Sequence, residues 1–358
     1  MDRVPIVVAA LVIATLTLSV ASPGEACTAV RLSAARGVLI AKNYDWSFGR
    51  ALVVVNKRDL DKRALPLRPG DKPATWTSQY ASVTFNQYGQ EFPNGGMNEA
   101  GLVVETLWLD SSRFPEADER PTINELQWVQ YQLDRFATVN EVIGHASETR
   151  ISRVHGDVHY LACDKAGACA VLEFLEGKLT VTTGTDLATP TLTNHTYAES
   201  LEYRDRHVAF HEEAPEGTGS LARFTRASMA AGHLTRASTG DAFALLDTVK
   251  SGDRTQWQIV YEPSASRIHF RTQKAGHTRT IDLGKLDRGC ASGALALDID
   301  EDVDGSANGK LHALTLAENK ALVTFSLTET IPSMADRLAP VLAAWPDGLA
   351  CKARGKKR

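Results

Sequence analysis

Residues 24–46 read GEACTAVRLSAARGVLIAKNYDW, and the stretch turns on its one cysteine. Cys27 stands directly behind an apolar leader that ends in the cleavage pattern Gly24-Glu25-Ala26. Cleavage there makes Cys27 the first residue of the mature chain. An N-terminal cysteine carries nucleophile and base together: the thiol attacks, and the α-amine, whose ordinary pKa is about 8, takes its proton. Downstream, 28–32 and 38–41 read as two strands joined through Ser33 to Gly37, a hairpin connection, and Asn43-Tyr44-Asp45-Trp46 follows at once.

Working back from Cys27, residues 1–26 have the parts of a signal peptide in order. Arg3 gives a thin positive start offset by Asp2, an apolar run covers 6–20, and small residues lead to Ala26. The run is short for a membrane span; an uncleaved anchor is the other reading. Gly24 and Glu25 do not suit a lipoprotein site. Loss of the leader leaves 332 residues and moves the formal charge from -4 to -3. That length supports a large core. The expected organisation is a leader over 1–26, one domain over 27–351 and a basic tail over 352–358. The tail is the sole basic tract, so nucleic acid is not an expected partner. No later stretch is long and apolar enough to cross a bilayer, so no stable membrane insertion is expected after cleavage.

Five cysteines are an odd count for an exported chain. Cys163 and Cys169 flank a turn-like Asp164-Lys165-Ala166-Gly167 and could bridge a hairpin. Cys290 and Cys351 could form a longer bridge, which leaves Cys27 unpaired; buried free thiols are the alternative. The cysteines lack the paired spacing of a zinc site. His207 and His211 have helical spacing but no third ligand. Asp300, Asp302, Asp304 and Gly305 match the first half of a calcium loop, but Leu311 stands where its glutamate belongs. A solvated loop is expected there.

Further strands are expected at 51–56, 82–85 and 101–109, with Asn94-Gly95-Gly96 as the turn before the last. Thr122 to Glu125 and Thr138 to Glu141 both read as capping boxes, opening two successive helices with Leu126, Val129, Leu133 and Phe136 on one apolar stripe. Strands return at 158–162, 168–174 and 179–183. Helices follow from about 220 and over 241–249, then strands at 257–261, 267–270 and 280–283. The alternation at 321–328 suggests a strand, and 334–344 a closing helix. Two sheets with helices outside fit this order. No glycine-rich phosphate loop links a strand to a helix.

Cys27-Thr28, Asn43 to Trp46, Asn98-Glu99-Ala100-Gly101-Leu102, Thr193-Asn194 and Ala222-Arg223-Phe224 occur in order. This set resembles the choloylglycine hydrolase family of linear amide C–N hydrolases, which includes bile salt hydrolases and penicillin V acylases, from Cys27 to about Leu283. The resemblance implies an α+β fold, the four-layer αββα sandwich of N-terminal nucleophile hydrolases; no cofactor and no metal are expected at the site. It implies that Cys27 is the nucleophile and that Asp45 orients the terminal amine. Asn194 would stabilise the oxyanion with its side-chain amide, and Trp108 with its backbone N–H. Arg223 would lie near the nucleophile. Two positions depart from the pattern. Lys42 stands where arginine is common, keeping the charge without the rigid fork. Trp108 replaces the asparagine usual in bile salt hydrolases and the tyrosine usual in penicillin V acylases, adding an apolar wall. Penicillin V-like and fatty-acyl amides are therefore ranked above bile salts.

His195, beside Asn194, is not needed as a base. The resulting expectation is an exported, periplasmic or extracellular amidohydrolase acting on a small N-acyl amide through a thioester, as a dimer or tetramer. Acyl transfer to an amine, or a secreted binding protein that retains the fold, are the alternatives.

Overall fold

The computed structural model describes residues 27–352 apart from 67 and 69; the leader at 1–26 and the tail beyond Lys352 lie outside the described residues. Alternating side chains assemble two large sheets, each with one face inward. The first runs in the order Thr191–Leu192, Thr28–Ser33, Val38–Asp45, Thr255–Glu262, Arg267–Thr272, Arg279–Asp282, Gly305–Ser306. The second runs Lys178–Thr183, Cys169–Leu175, Val158–Cys163, Val103–Trp108, Gly95–Asn98, Ser82–Asn86, Leu52–Asn56, Leu295–Asp298, His312–Ala313. Ile40 and Tyr44 of the first meet Val53, Val55, Phe85, Leu107 and Leu161 of the second in a shared core.

Helices cover both outer faces. On the nine-stranded sheet lie α1 (Glu125–Arg135) and α2 (Val139–His145), with Trp128, Val129 and Leu133 against Val104, Tyr160 and Leu172. After α3 (Tyr197–Val208), α4 (Ser220–His233) and α5 (Thr239–Thr248) cover the seven-stranded sheet, placing Ala227, Phe243 and Leu246 against Val30, Leu39 and Val260. The result is the expected α+β, four-layer αββα order. A last pair, α6 (Leu316–Thr330) and α7 (Pro332–Ala344), packs on Leu65 and Phe92.

Three local expectations are corrected. Gly95 and Gly96 do not make a turn; they lie in the Gly95–Asn98 strand. A Cβ on Gly95 would lie 2.0 Å from Glu105 Oε2, so its lack of a side chain makes room for that carboxylate. The turn comes later, at Gly101, whose φ is +91° and whose N–H donates to Asn98 O. The first capping box also fails: Thr122–Ile123 is a short strand, and Asn124 caps α1 by accepting from the amides of Leu126 and Gln127. The second box, Thr138 with Glu141, forms. Residues 321–328 belong to helix α6, not a strand. Leu322, Val323, Ser326 and Leu327 are its buried side, a spacing that short-range alternation imitates. Helix α3 escaped notice although Thr196 and Glu199 form its capping box.

Candidate active site

Strand register sets the site. Thr28 pairs with Asn43 across the first hairpin, so Cys27 falls beside the end of the neighbouring strand, where Tyr44 and Asp45 stand. Alternation sends Lys42 and Tyr44 between the sheets and Asn43 and Asp45 toward the outer helices. Asn43 accordingly donates to Leu246 O of α5 at 2.8 Å and accepts from Gln258. Cys163–Cys169 and Cys290–Cys351 are disulfides, and Cys27 is the free cysteine among the described residues.

Cys27 is buried, with its Sγ 3.9 Å from Asp45 O. Burial pushes the thiol up to about 12 against the pull of Lys42 and Arg223, so it keeps its proton at neutral pH unless a base removes it. Asp45 is also pushed up, to about 6, by burial against Arg223 and Thr255. Thr255 Oγ1 donates to its Oδ1 at 2.5 Å. The other oxygen, Oδ2, lies 3.8 Å from Arg223 Nη1 and has no hydrogen-bond partner among the described residues.

Arg223, in the first turn of α4, is fully buried and joins the other parts. Its Nη1 donates to Cys27 O at 2.8 Å and to Thr28 Oγ1 at 2.6 Å. Its Nη2 donates to Asn194 Oδ1 at 2.9 Å. Asn194 Nδ2 in turn donates to Trp108 O at 2.9 Å, and Asn194 N to Ser220 Oγ. Arg223 thus fixes which face of the Asn194 amide carries its N–H groups.

Lys42 Nζ donates to Glu105 Oε2 (2.5 Å), Thr106 O (2.9 Å) and Asn94 O (3.1 Å), which uses all three protons in a buried ion pair. Tyr261 OH donates to the other oxygen of Glu105. Lys42 therefore reaches the thiol by its field alone. Glu105, Tyr261 and Thr255 were missed in the sequence because they come from distant strands with no local signature. Asn98 accepts from the amides of Ala100 and Leu102 and donates to Leu133 O and Phe136 O, closing the turn and the end of α1. His195 is exposed. His207 and His211 stack 4.7 Å apart, and no group of three metal-capable side chains occurs among the described residues.

Cys27 lies in the lining of a cavity of about 840 Å³ that also includes the space at its mouth. Trp46 and Trp108, 5.9 Å apart, stand with it. Phe92, Leu126, Leu327, Ile331 and Leu342 supply apolar wall. The last three come from α6, its junction with α7, and α7. No helix of the described residues is long and apolar enough to cross a membrane.

A model of the linear amide C–N hydrolases, choloylglycine hydrolase family, matches residues 27–232. A penicillin V acylase of Pectobacterium atrosepticum is 30% identical over 125 residues, covering 30% of this chain; the match spans about a third (33%) of that relative's length. The structure of penicillin V acylase from Agrobacterium tumefaciens superposes with a TM-score of 0.72 at 25% identity, covering 81% of this chain and 98% of that one. A conjugated bile acid hydrolase from Clostridium perfringens shares the fold at 16% identity, with a TM-score of 0.65 and coverage of 79% and 99%. The chain belongs to the linear amide C–N hydrolases of the choloylglycine hydrolase family, and has their N-terminal nucleophile hydrolase fold.

Proposed function

We propose that the protein is an exported cysteine amidohydrolase that, once cleaved before Cys27, hydrolyses small N-acyl amides with an apolar acyl group through a thioester. The observation that carries this is the unpartnered Oδ2 of buried Asp45 beside the free thiol. A buried carboxylate oxygen without a donor is costly. A freed Cys27 α-ammonium supplies that donor from the adjoining residue. The two disulfides suit an oxidising compartment.

The chemistry follows from the parts. The α-amine takes the Cys27 proton and Sγ attacks the amide carbonyl carbon. The developing oxyanion is met by the second Asn194 Nδ2 hydrogen, the first being on Trp108 O, and by the Trp108 N–H. That N–H leaves the strand edge on the same side as Thr106 N, which donates to Asn94 O, and beyond the Gly95–Asn98 strand. The α-ammonium then protonates the leaving amine, the C–N bond breaks, and the acyl group stays on Sγ. Water, deprotonated by the same amine, releases the carboxylic acid and restores the thiol. Asp45 holds the amine in place throughout. The acyl group lies along the apolar wall.

Intact-mass analysis and N-terminal sequencing of the exported protein, with N-acyl amides of graded chain length, test this. The expected results are a chain starting at Cys27, an acyl adduct on that residue, and no turnover by Cys27→Ala. A protein that retains Ala26 yet cleaves the amides, or a folded Cys27→Ala protein as active as the parent, would sink the reading.

A further inference from the structure

A second buried pair, His159 and Glu173, has no part in the chemistry above. Both side chains lie on the inward face of the nine-stranded sheet, on neighbouring antiparallel strands whose register places them opposite each other. His159 Nδ1 is 3.0 Å from Glu173 Oε1, and His159 Nε2 is 2.7 Å from Thr193 O. A carbonyl oxygen can only accept, so Nε2 carries a hydrogen. Nδ1 then faces Glu173 Oε1. Glu173 Oε1 also accepts from Tyr197 N at 3.0 Å, the first residue of α3.

One buried pair therefore grips both ends of residues 193–197. His159 takes the carbonyl at the start, and Glu173 takes the amide at the finish. Asn194 lies between them, carrying the side chain whose amide donates to Trp108 O. The His159 bond also runs from the nine-stranded sheet to the edge of the seven-stranded one, where Thr191–Leu192 ends. We infer that His159 and Glu173 are positioning residues: they clamp the Thr193–Tyr197 segment and so hold the Asn194 amide at the place where the oxyanion forms. This rests on the amidohydrolase reading of the same site. Neither residue lines the cavity that holds Cys27. A displacement of Asn194 by a fraction of an ångström weakens a contact needed in the transition state more than one needed for binding.

The test compares mature wild type with His159→Leu, His159→Gln and Glu173→Gln. Each is assayed for kcat and KM on an N-acyl amide and for alkylation of Cys27 by iodoacetamide, which needs thiol and amine but no oxyanion site. In parallel, the Asn194 side-chain amide is followed by NMR. His159→Leu is expected to lower kcat roughly ten- to a hundredfold, with KM and alkylation nearly constant and the Asn194 signal displaced. His159→Gln, whose amide nitrogen reaches the place of Nε2, recovers most of the loss. Glu173→Gln keeps the shape and gives the same split, less deeply, so it decides if His159→Leu does not fold.

Wild-type kcat in His159→Leu or Glu173→Gln overturns the inference. So does a glutamine variant no better than leucine, or a loss of alkylation parallel to kcat. Wild type that is alkylated at Cys27 but cleaves no amide refutes the functional reading instead; the Asn194 signal then still judges the clamp, since an unmoved signal in His159→Leu overturns it.

Discussion

Asn194 and Trp108 are joined by a 2.9 Å hydrogen bond from the asparagine Nδ2 to the tryptophan carbonyl oxygen. The bond ties the loop after Thr191–Leu192, at the edge of one sheet, to the last residue of a strand in the other. It spends one amide hydrogen on scaffolding and orients the second. Asn194→Ala is therefore expected to lower kcat by about 10²–10³ with a much smaller change in KM. Asn194→Asp should not rescue it, because a carboxylate has no N–H to offer. Steady-state kinetics on the folded variants decide this, and a loss confined to KM would count against it.

Lys42 and Glu105 form a buried pair whose partners are almost wholly enclosed. Removing one charge strands the other. Lys42→Met should destabilise the fold by about 3–5 kcal/mol, whereas Lys42→Met with Glu105→Gln should be much less damaged. A double-mutant cycle by chemical denaturation measures the difference. Additive losses would mean the pair is not coupled.

Given the proposed cleavage before Cys27, Asp45 connects that processing to pH. In the chain with Cys27 still peptide-bonded, burial holds this carboxyl at about 6 against an ordinary 3.8. Between those values the native state keeps a proton that the unfolded chain has released, so the slope of stability with pH is negative. The contribution is full below about 3.8 and is lost as pH rises through about 6. A free α-ammonium at Oδ2 favours the carboxylate and cancels part of this shift. The melting temperature should therefore fall more between pH 4 and pH 7, roughly, for unprocessed chain than for mature protein. Equal falls would remove the proposed contact.

The distal wall of the cavity should set acyl selectivity. Leu327→Trp or Leu342→Trp narrows the space beside α6 and α7. Each methylene kept out of an apolar pocket forgoes about 0.8 kcal/mol. The ratio of kcat/KM for long over short acyl amides is expected to fall at least about tenfold, a loss of two or so methylene contacts. A chain-length series reads this directly, and an unchanged ratio would place the acyl group elsewhere.

Local chemistry made much of the fold legible. The Thr138–Glu141 box, the apolar stripe of α1 and the period-2 strands all signal elements through neighbours in sequence. Errors arose where a residue answered a distant partner. Gly95 reads as a turn residue, but its bareness serves Glu105 across the sheet. Residues 321–328 alternate like a strand, yet α6 is decided by its packing with α7 and Phe92.

Cys27 stood out before any fold was known because it directly follows the leader, and Asp45, Asn194 and Arg223 stood out because the short motifs around them resemble those of a known family. Their mutual geometry could not. Arg223 is 196 residues from Cys27 and 29 from Asn194, yet it donates to both. The orphaned Oδ2 of Asp45 exists only once α4 has closed over the outer face of its sheet, and the three acceptors around Lys42 and the His159–Glu173 grip on residues 193–197 exist only when two sheets meet. Residue identity prescribes which atoms can donate, accept or attack. Burial and long-range pairing decide which do, because a polar group's energy in a protein interior depends on partners that the chain brings from far away.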